Sequence, residues 1–324
     1  MRPKIYITQP VAPSAVERLR AIGDVEMNPD TLHKVTKDEL LARVPELDIL
    51  FCLLHDRIDK DIIAAGKRLI MIASMKITPS DIDVDAATAR RLPVTVIAPI
   101  VTEATADIHF ALILAVARRV VEGDQLVRAG VFPGAQSAHL LGSWVWGRTL
   151  GLIGGGGRIG KAVAKRAQGF SMRTLYWTPR RKPEAEEREA GLTYVPYDRL
   201  LAESDFVSVH APLMPATRGL VNADAFAKMK KGVLIVNTAR GPLIDEAALV
   251  QALDSGQVGG AALDVLATEP PPKDFPLIGR DNVILSPHTA FYSVDALNEL
   301  QTKCASDVAR VLSGEQPVYP VKMP

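Results

Sequence analysis

Three side chains with complementary chemistry follow apolar runs in the second half of the chain. Arg240 comes after "VLIVN" in "NTARG", Glu269 after "AALDVL" in "DVLATEP", and His288 after "VILS" in "SPHTA". Each run reads as a strand, and ligands of open α/β sheets bind beyond the carboxyl ends of strands. The three residues are therefore expected to converge. An imidazolium can donate a proton to an alkoxide developing on a carbonyl oxygen. A neighbouring carboxylate favours the charged imidazole and raises its pKa. A guanidinium can hold a carboxylate through two parallel hydrogen bonds and polarise an adjacent carbonyl. Together they suit reduction of a ketone, with a hydride arriving from one side and a proton from the other. Taken singly, a strand-end histidine is as often structural, and an arginine after a strand is usually a surface residue. The combination carries the reading.

Such chemistry needs a hydride carrier, and "IGGGGRIGK" at residues 153–161 has the form of a seat for one. Four successive glycines cost about 2–4 kcal/mol in regular structure relative to alanine. The pattern G-x-G-x-x-G fits at Gly155, Gly157 and Gly160. It follows the strand-like "TLGLI" and opens the helical "RIGKAVAKRAQGF". In that context the glycines permit a tight turn, close approach of a pyrophosphate, and close helix–strand packing. The N–H groups of Arg158 and Ile159 are expected to face phosphate from the helix N-terminus. Gly154 is not required by the pattern.

An NAD site carries an acidic residue about 20 positions further on, where it binds the ribose 2′-hydroxyl. Here the next strand, "RTLYW", ends at Trp177 and is followed by Thr178, Pro179, Arg180, Arg181 and Lys182, with no carboxylate before Glu184. A hydroxyl and cations suit a 2′-phosphate, which arginine grips bidentately. NADP(H) is expected to be preferred, with NAD(H) possible; a solvated basic turn is the competing reading.

The elements that must position these groups alternate along the chain. Strand runs "KIYIT", "DILFCLL", "LIMIA" and "VTVI" occupy the first hundred residues. A second series follows in "TLGLI", "RTLYW", "DFVSVH", "GVLIVN", "AALDVL" and "NVILS". Helical patterns lie between them, as in "SAVERLRAIG" and "DEAALVQALDSG". Mostly apolar strands alternating with helices predict parallel sheets covered on both faces. The two series predict two α/β domains, residues 1–99 with 290–324 and residues 100–289, the last helix returning to the first domain. Thr102 is expected to cap the helix that opens the second domain, with Thr105 in its first turn. The proline-rich 269–276 reads as a stiff surface loop.

The chain has 324 residues, 38 Lys plus Arg against 37 Asp plus Glu, and a net charge of +1. No overall field drives it to nucleic acid or anionic lipid, so a small molecule recognised locally is expected. Cys52 and Cys304 sit among apolar residues and form no metal-ligand pattern. They read as buried thiols in a reducing cytoplasm, and no metal is expected. "IHFALILAVA" is too short to span a membrane, and "MRPKIYITQP" lacks the apolar region of a signal peptide.

With these motifs in hand, the sequence resembles the D-isomer-specific 2-hydroxyacid dehydrogenase family, in particular its NADP-using glyoxylate and hydroxypyruvate reductases. The resemblance spans nearly the whole chain and extends to "DIDVDAATARR", "TEATAD" and "SDFVSVHAPLMPATRGLVN". It implies a fold of two doubly wound parallel-sheet domains, with a Rossmann-type cofactor domain inserted in a flavodoxin-like substrate domain. It implies Arg240 as substrate clamp, Glu269 as carboxylate partner and His288 as acid/base. It also implies a cofactor site that includes Thr105, His210, Ala211, Pro212, Thr217, Thr238, Ala239, Asp264 and Ala290, and a homodimer. The substrate would be a small 2-oxo or 2-hydroxy acid held by Lys76, Ile77 and Thr78 together with Arg240 and His288. Three departures stand out. "KITPSDID" replaces the family's glycine-containing V-G-x-D-x-I-D loop, Phe291 and Tyr292 bring bulk after His288, and the cofactor loop has an extra glycine. "GSWVWG" adds Trp144 and Trp146, as packing or as a partner surface. Lys76 beside a stiffened loop leaves open another small oxyanion substrate such as phosphite, and the fold leaves open a cofactor-sensing binding protein that catalyses nothing.

Overall fold

The computed structural model describes residues 2–321 apart from 54–55, 77–78, 80, 98, 133 and 135–137. The expected substrate-loop residues Ile77 and Thr78 therefore lie outside the described residues. The chain divides into two compact units, Met1–Val101 with Ser293–Pro324, and Thr102–Tyr292.

The first unit is built from β1 (Lys4–Ile7), α1 (Pro13–Ile22), β2 (Asp24–Met27), α2 (Lys37–Arg43), β3 (Ile49–Cys52), α3 (Lys60–Ala65), β4 (Met71–Ser74), α4 (Val84–Ala89) and β5 (Val94–Thr95). Among the described residues its sheet has the order β2-β1-β3-β4-β5, all parallel. The order reverses beside β1, as in a flavodoxin-like doubly wound sheet. Central strands β3 and β4 are buried at every position, which is why they read as unbroken apolar runs. Local signals set the helix starts. Thr36 and Glu39 form a capping box before α2, and Asp59 and Asp83 cap α3 and α4. Cys52 and Cys304 are buried free thiols.

The second unit contains α5 (Thr102–Ala117), α6 (Val120–Arg128), β6 (Thr149–Ile153), α7 (Arg158–Gln168), β7 (Arg173–Trp177), α8 (Glu184–Ala190), β8 (Thr193–Tyr194), α9 (Tyr197–Glu203), β9 (Phe206–Val209), α10 (Ala223–Lys228), β10 (Val233–Asn237), α11 (Glu246–Asp254), β11 (Val258–Leu263) and β12 (Val283–Leu285). Its parallel sheet has the order β12-β11-β10-β9-β6-β7-β8. Apolar layers cover both faces. Ala106, Phe110 and Ile113 of α5 pack with Leu152 and Val236 on one side. Leu249 and Leu253 of α11 join Ile235 and Val209 on the other. Thr102 is the first residue of α5, following a single 3-10 turn at Pro99–Val101, so it lies inside the helix rather than before it. The last helix, α12 (Val294–Leu312), is capped by Ser293 and returns to the first unit, packing on α1; Gln301 accepts a hydrogen bond from the Ala12 N–H there.

Two strands escape the sequence reading. β2 alternates exposed and half-buried positions and β8 has only two residues; both lie at sheet edges. Neither has an apolar run to announce it, β2 because half of its positions face solvent and β8 because it is only two residues long. Among the described residues no helix is long and apolar enough to cross a membrane.

Candidate active site

Strands β10, β11 and β12 are neighbours in register. Arg240, Glu269 and His288 therefore emerge from three adjacent strand ends. Glu269 and His288 meet directly, with His288 Nδ1 2.7 Å from Glu269 Oε2. The second carboxylate oxygen accepts the Leu266 N–H at 2.9 Å, which fixes the carboxylate in its loop. A carboxylate on Nδ1 makes that nitrogen the donor and turns Nε2 outward. About a third of each side chain is exposed.

His288 adopts φ +57°, the left-handed region that a β-substituted residue enters at a cost of about 1–3 kcal/mol. Asp264, the residue after β11, holds it there. The Asp264 carboxylate is 1% exposed and accepts the N–H groups of Thr289 and Ala290, each at 2.9 Å. The Asp264 carbonyl accepts the His288 N–H at 2.8 Å. Asp264 and Ala290, expected at a cofactor, thus also form the bracket beneath the imidazole.

Arg240 is exposed and its guanidinium donates to the Ala239 carbonyl at 2.6 Å. The turn that carries it is pinned by Asn237, whose side chain accepts from the Ala239 N–H and donates to the Arg240 carbonyl. The backbone of Leu266 and Ala267 passes directly over Gly241, so the arginine turn and the Glu269 loop are packed against each other. Asn237 was not singled out from sequence; a polar residue ending a fully apolar strand was the available signal.

The glycine loop runs from β6 into α7. A Cβ on Gly160 would lie 2.4 Å from the Gly155 carbonyl oxygen, so helix and turn approach as a phosphate-binding turn requires. Gly157 stands at the N-cap with no side-chain cap, and no acidic residue occupies the first turn. The N–H groups of Arg158 and Ile159 have no acceptor within the helix and present a positive N-terminus. These residues fit a dinucleotide pyrophosphate. Gly154 has a structural explanation. Its φ is +81°, and a Cβ there would sit 2.6 Å from Ala211 N and 2.8 Å from the His210 carbonyl carbon. The β9 end, carrying His210 and Ala211, lies against the loop at this point, while Pro212 is exposed.

At the turn after β7 the expected cations separate. Arg181 is paired in a fork with Glu187, Nε to Oε1 at 2.9 Å and Nη2 to Oε2 at 2.8 Å, and Tyr176 donates to the same carboxylate at 2.6 Å. The arginine hydrogen bonds hold the Glu187 carboxyl down to about 2. Arg181 thus departs from its expected role of gripping a phosphate; it braces the turn, because a buried carboxylate takes the nearest fork. Arg180 is exposed and, among the described residues, has no side-chain partner. The Thr178 hydroxyl donates to the Arg180 carbonyl. Lys182 lays its aliphatic stem against Gly156 of the cofactor loop, which places a further cation there.

The remaining expected residues are accounted for as follows. Thr217 uses its hydroxyl within its own loop, donating to the Pro212 carbonyl and accepting from the Met214 N–H. Thr105 is buried on α5, and Thr238 is buried just past β10. Lys76, in the first unit, is buried and its ammonium donates to Asp81 at 2.7 Å. Phe291 is buried against Tyr292 rather than bulking outward; Tyr292 is the exposed member of the pair. Among the described residues no cluster of ligating side chains suits a metal.

The family model of the D-isomer specific 2-hydroxyacid dehydrogenase NAD binding domain matches residues 110–290. Over 318 residues the chain is 39% identical to the glyoxylate reductase of Korarchaeum cryptofilum, covering 98% of this chain and 95% of that protein. A solved structure of a Thermus thermophilus protein superposes with a TM-score of 0.89 at 38% identity, covering 98% of this chain and 100% of that one. The structure of a glyoxylate reductase from Paecilomyes thermophila gives 0.82 at 29% identity, covering 99% and 98%.

Proposed function

Because the chain belongs to the D-isomer specific 2-hydroxyacid dehydrogenase family and is a nicotinamide-dependent oxidoreductase of 2-hydroxy acids, we propose that it reduces a small 2-oxo acid of the glyoxylate or hydroxypyruvate type, with NADPH preferred. The observation that carries the reading is the His288–Glu269 pair, 2.7 Å apart, on strand ends adjacent to that of Arg240. When bound, the nicotinamide cofactor supplies the hydride. His288 in its charged form donates the Nε2 proton to the carbonyl oxygen, and Glu269 keeps Nδ1–H in place before and after the transfer. Arg240 holds the substrate carboxylate and polarises the carbonyl. The N–H groups of Arg158 and Ile159 hold the pyrophosphate. The preference for NADPH is supported by exposed Arg180 and by Lys182 beside the loop, with no acid after Trp177.

The protein works as a cytoplasmic homodimer in this reading. Val120, Val127, Phe132, Leu141, Trp144 and Trp146 are exposed along one arm, Phe132 by 80% and Trp144 by 68%. So much exposed apolar surface favours a partner, here a second copy; a monomer at micromolar concentration in sedimentation would overturn that assignment. The deciding experiment for the activity is turnover of a panel of 2-oxo acids with NADPH and with NADH. Glyoxylate or hydroxypyruvate reduced faster with NADPH is the expected result. No turnover of any 2-oxo acid would refute the reading.

A further inference from the structure

His109, Ser208, His210 and Thr238 form one hydrogen-bonded chain beneath the strand ends of the second unit. His109 projects from α5 and is wholly buried, as is Ser208 in β9. His109 Nδ1 lies 2.8 Å from Thr238 Oγ1, and its Nε2 lies 2.5 Å from Ser208 Oγ. The same hydroxyl lies 2.6 Å from His210 Nε2, and the two imidazole centroids are 4.6 Å apart. Burial keeps both rings neutral. It pushes His210 down to about 3, and it pushes His109 well below the ordinary histidine range, with His210 adding to the effect.

A neutral imidazole has one donor nitrogen and one acceptor nitrogen, and Ser208 has one proton to give. Only two proton orders satisfy every contact and also give the buried Ser208 proton an acceptor; if both rings donated to Ser208, its own proton would be left without a partner among these groups. In the first, Thr238 donates to His109 Nδ1, His109 Nε2–H donates to Ser208, and Ser208 donates to His210 Nε2. His210 then presents Nδ1–H outward and Thr238 presents only lone pairs. In the second, every bond reverses: His210 presents a bare Nδ1 and Thr238 has a free hydroxyl proton. Among the described residues His210 Nδ1 has no side-chain partner. One strand end thus always offers a donor while its neighbour offers an acceptor.

We propose that His109 is a positioning residue: through Ser208 it couples the tautomer of His210 to the hydroxyl of Thr238, so that the β9 and β10 ends present a matched donor and acceptor to a ligand group carrying both, such as the amide or ribose diol of a nicotinamide nucleotide. The choice of ligand rests on the cofactor reading above; the coupling itself does not. Nitrogen-15 NMR of both imidazoles, recorded without coenzyme and with NADPH, tests the coupling. The two rings must hold opposite tautomers in each state, one protonated on Nδ1 and the other on Nε2. Space-filling alone imposes no such pairing. Ser208→Ala removes one buried oxygen; it should abolish the pairing and weaken NADPH binding roughly 3- to 10-fold, as loss of one hydrogen-bonded support does. Like tautomers in the wild-type protein, or Ser208→Ala with unchanged tautomers and NADPH affinity, would overturn the proposal. Opposite tautomers in a protein that binds no NADPH would uphold the coupling and sink the cofactor reading instead.

Discussion

Asp264→Asn is expected to lower reductive turnover by about 10- to 100-fold while leaving coenzyme affinity within a few-fold of wild type. The substitution replaces one oxygen by an NH2 group at a carboxylate that accepts two N–H bonds at 2.9 Å and is 1% exposed. The amide keeps one acceptor and turns a donor toward the other N–H. Loss of a hydrogen bond to a charged group costs about 1.5–3 kcal/mol. That is comparable to the roughly 1–3 kcal/mol of strain held in a left-handed residue such as His288. With the bracket weakened the strain is no longer offset, and most molecules release the imidazole from Glu269. A restraint of 1.5–3 kcal/mol corresponds to about one to two powers of ten in rate. The assay is single-turnover reduction of glyoxylate with NADPH, run beside thermal unfolding and a coenzyme titration. A rate within about twofold of wild type, despite a lowered unfolding temperature, would show that Asp264 supports stability alone and that the strain argument is wrong.

Other outcomes follow from the same geometry. His288→Ala should lose about 10²–10⁴ in turnover, the usual contribution of a general acid, with coenzyme affinity retained; an unchanged rate means the proton comes from elsewhere. Arg240→Ala should damage substrate KM and kcat together. Arg180→Ala should weaken NADPH by about 1.5–3 kcal/mol and spare NADH, whereas Arg181→Ala, which breaks the Glu187 fork, should weaken both alike; fluorescence titration separates them. Because His109 and His210 are held neutral, the unfolded chain takes up protons near pH 6.5 that the folded one refuses. Stability is then full above about pH 6.5 and falls as pH drops below it, by up to about 1.4 kcal/mol per pH unit for wholly buried His109. Urea midpoints of His109→Leu should show a shallower acid limb than wild type, and identical limbs would count against the buried-neutral assignment.

The internal strands, the glycine turn and the strand-end positions of Arg240, Glu269 and His288 were legible in the amino-acid sequence, for local reasons. A strand covered on both faces must be apolar throughout, and a helix that approaches a turn closely must carry glycine. Residues just past such strands can be placed at the ligand-binding edge without knowing the sheet order. The edge strands β2 and β8 lack that cover and so lack that signature. What only the tertiary structure decided is partner choice, since periodicity specifies which face a residue occupies and not what it meets there. Arg181 turned to Glu187, so the basic turn is not uniformly available to phosphate. Asp264 closed on Thr289 and Ala290, 25 and 26 positions away, and holds a strained histidine in place. His109 read as one more residue of an apolar helix until Thr238, 129 positions on, and the two strand ends gave it a hydrogen-bonded place. Gly154, idle in the motif, proved to be where the β9 end leaves no room for a side chain.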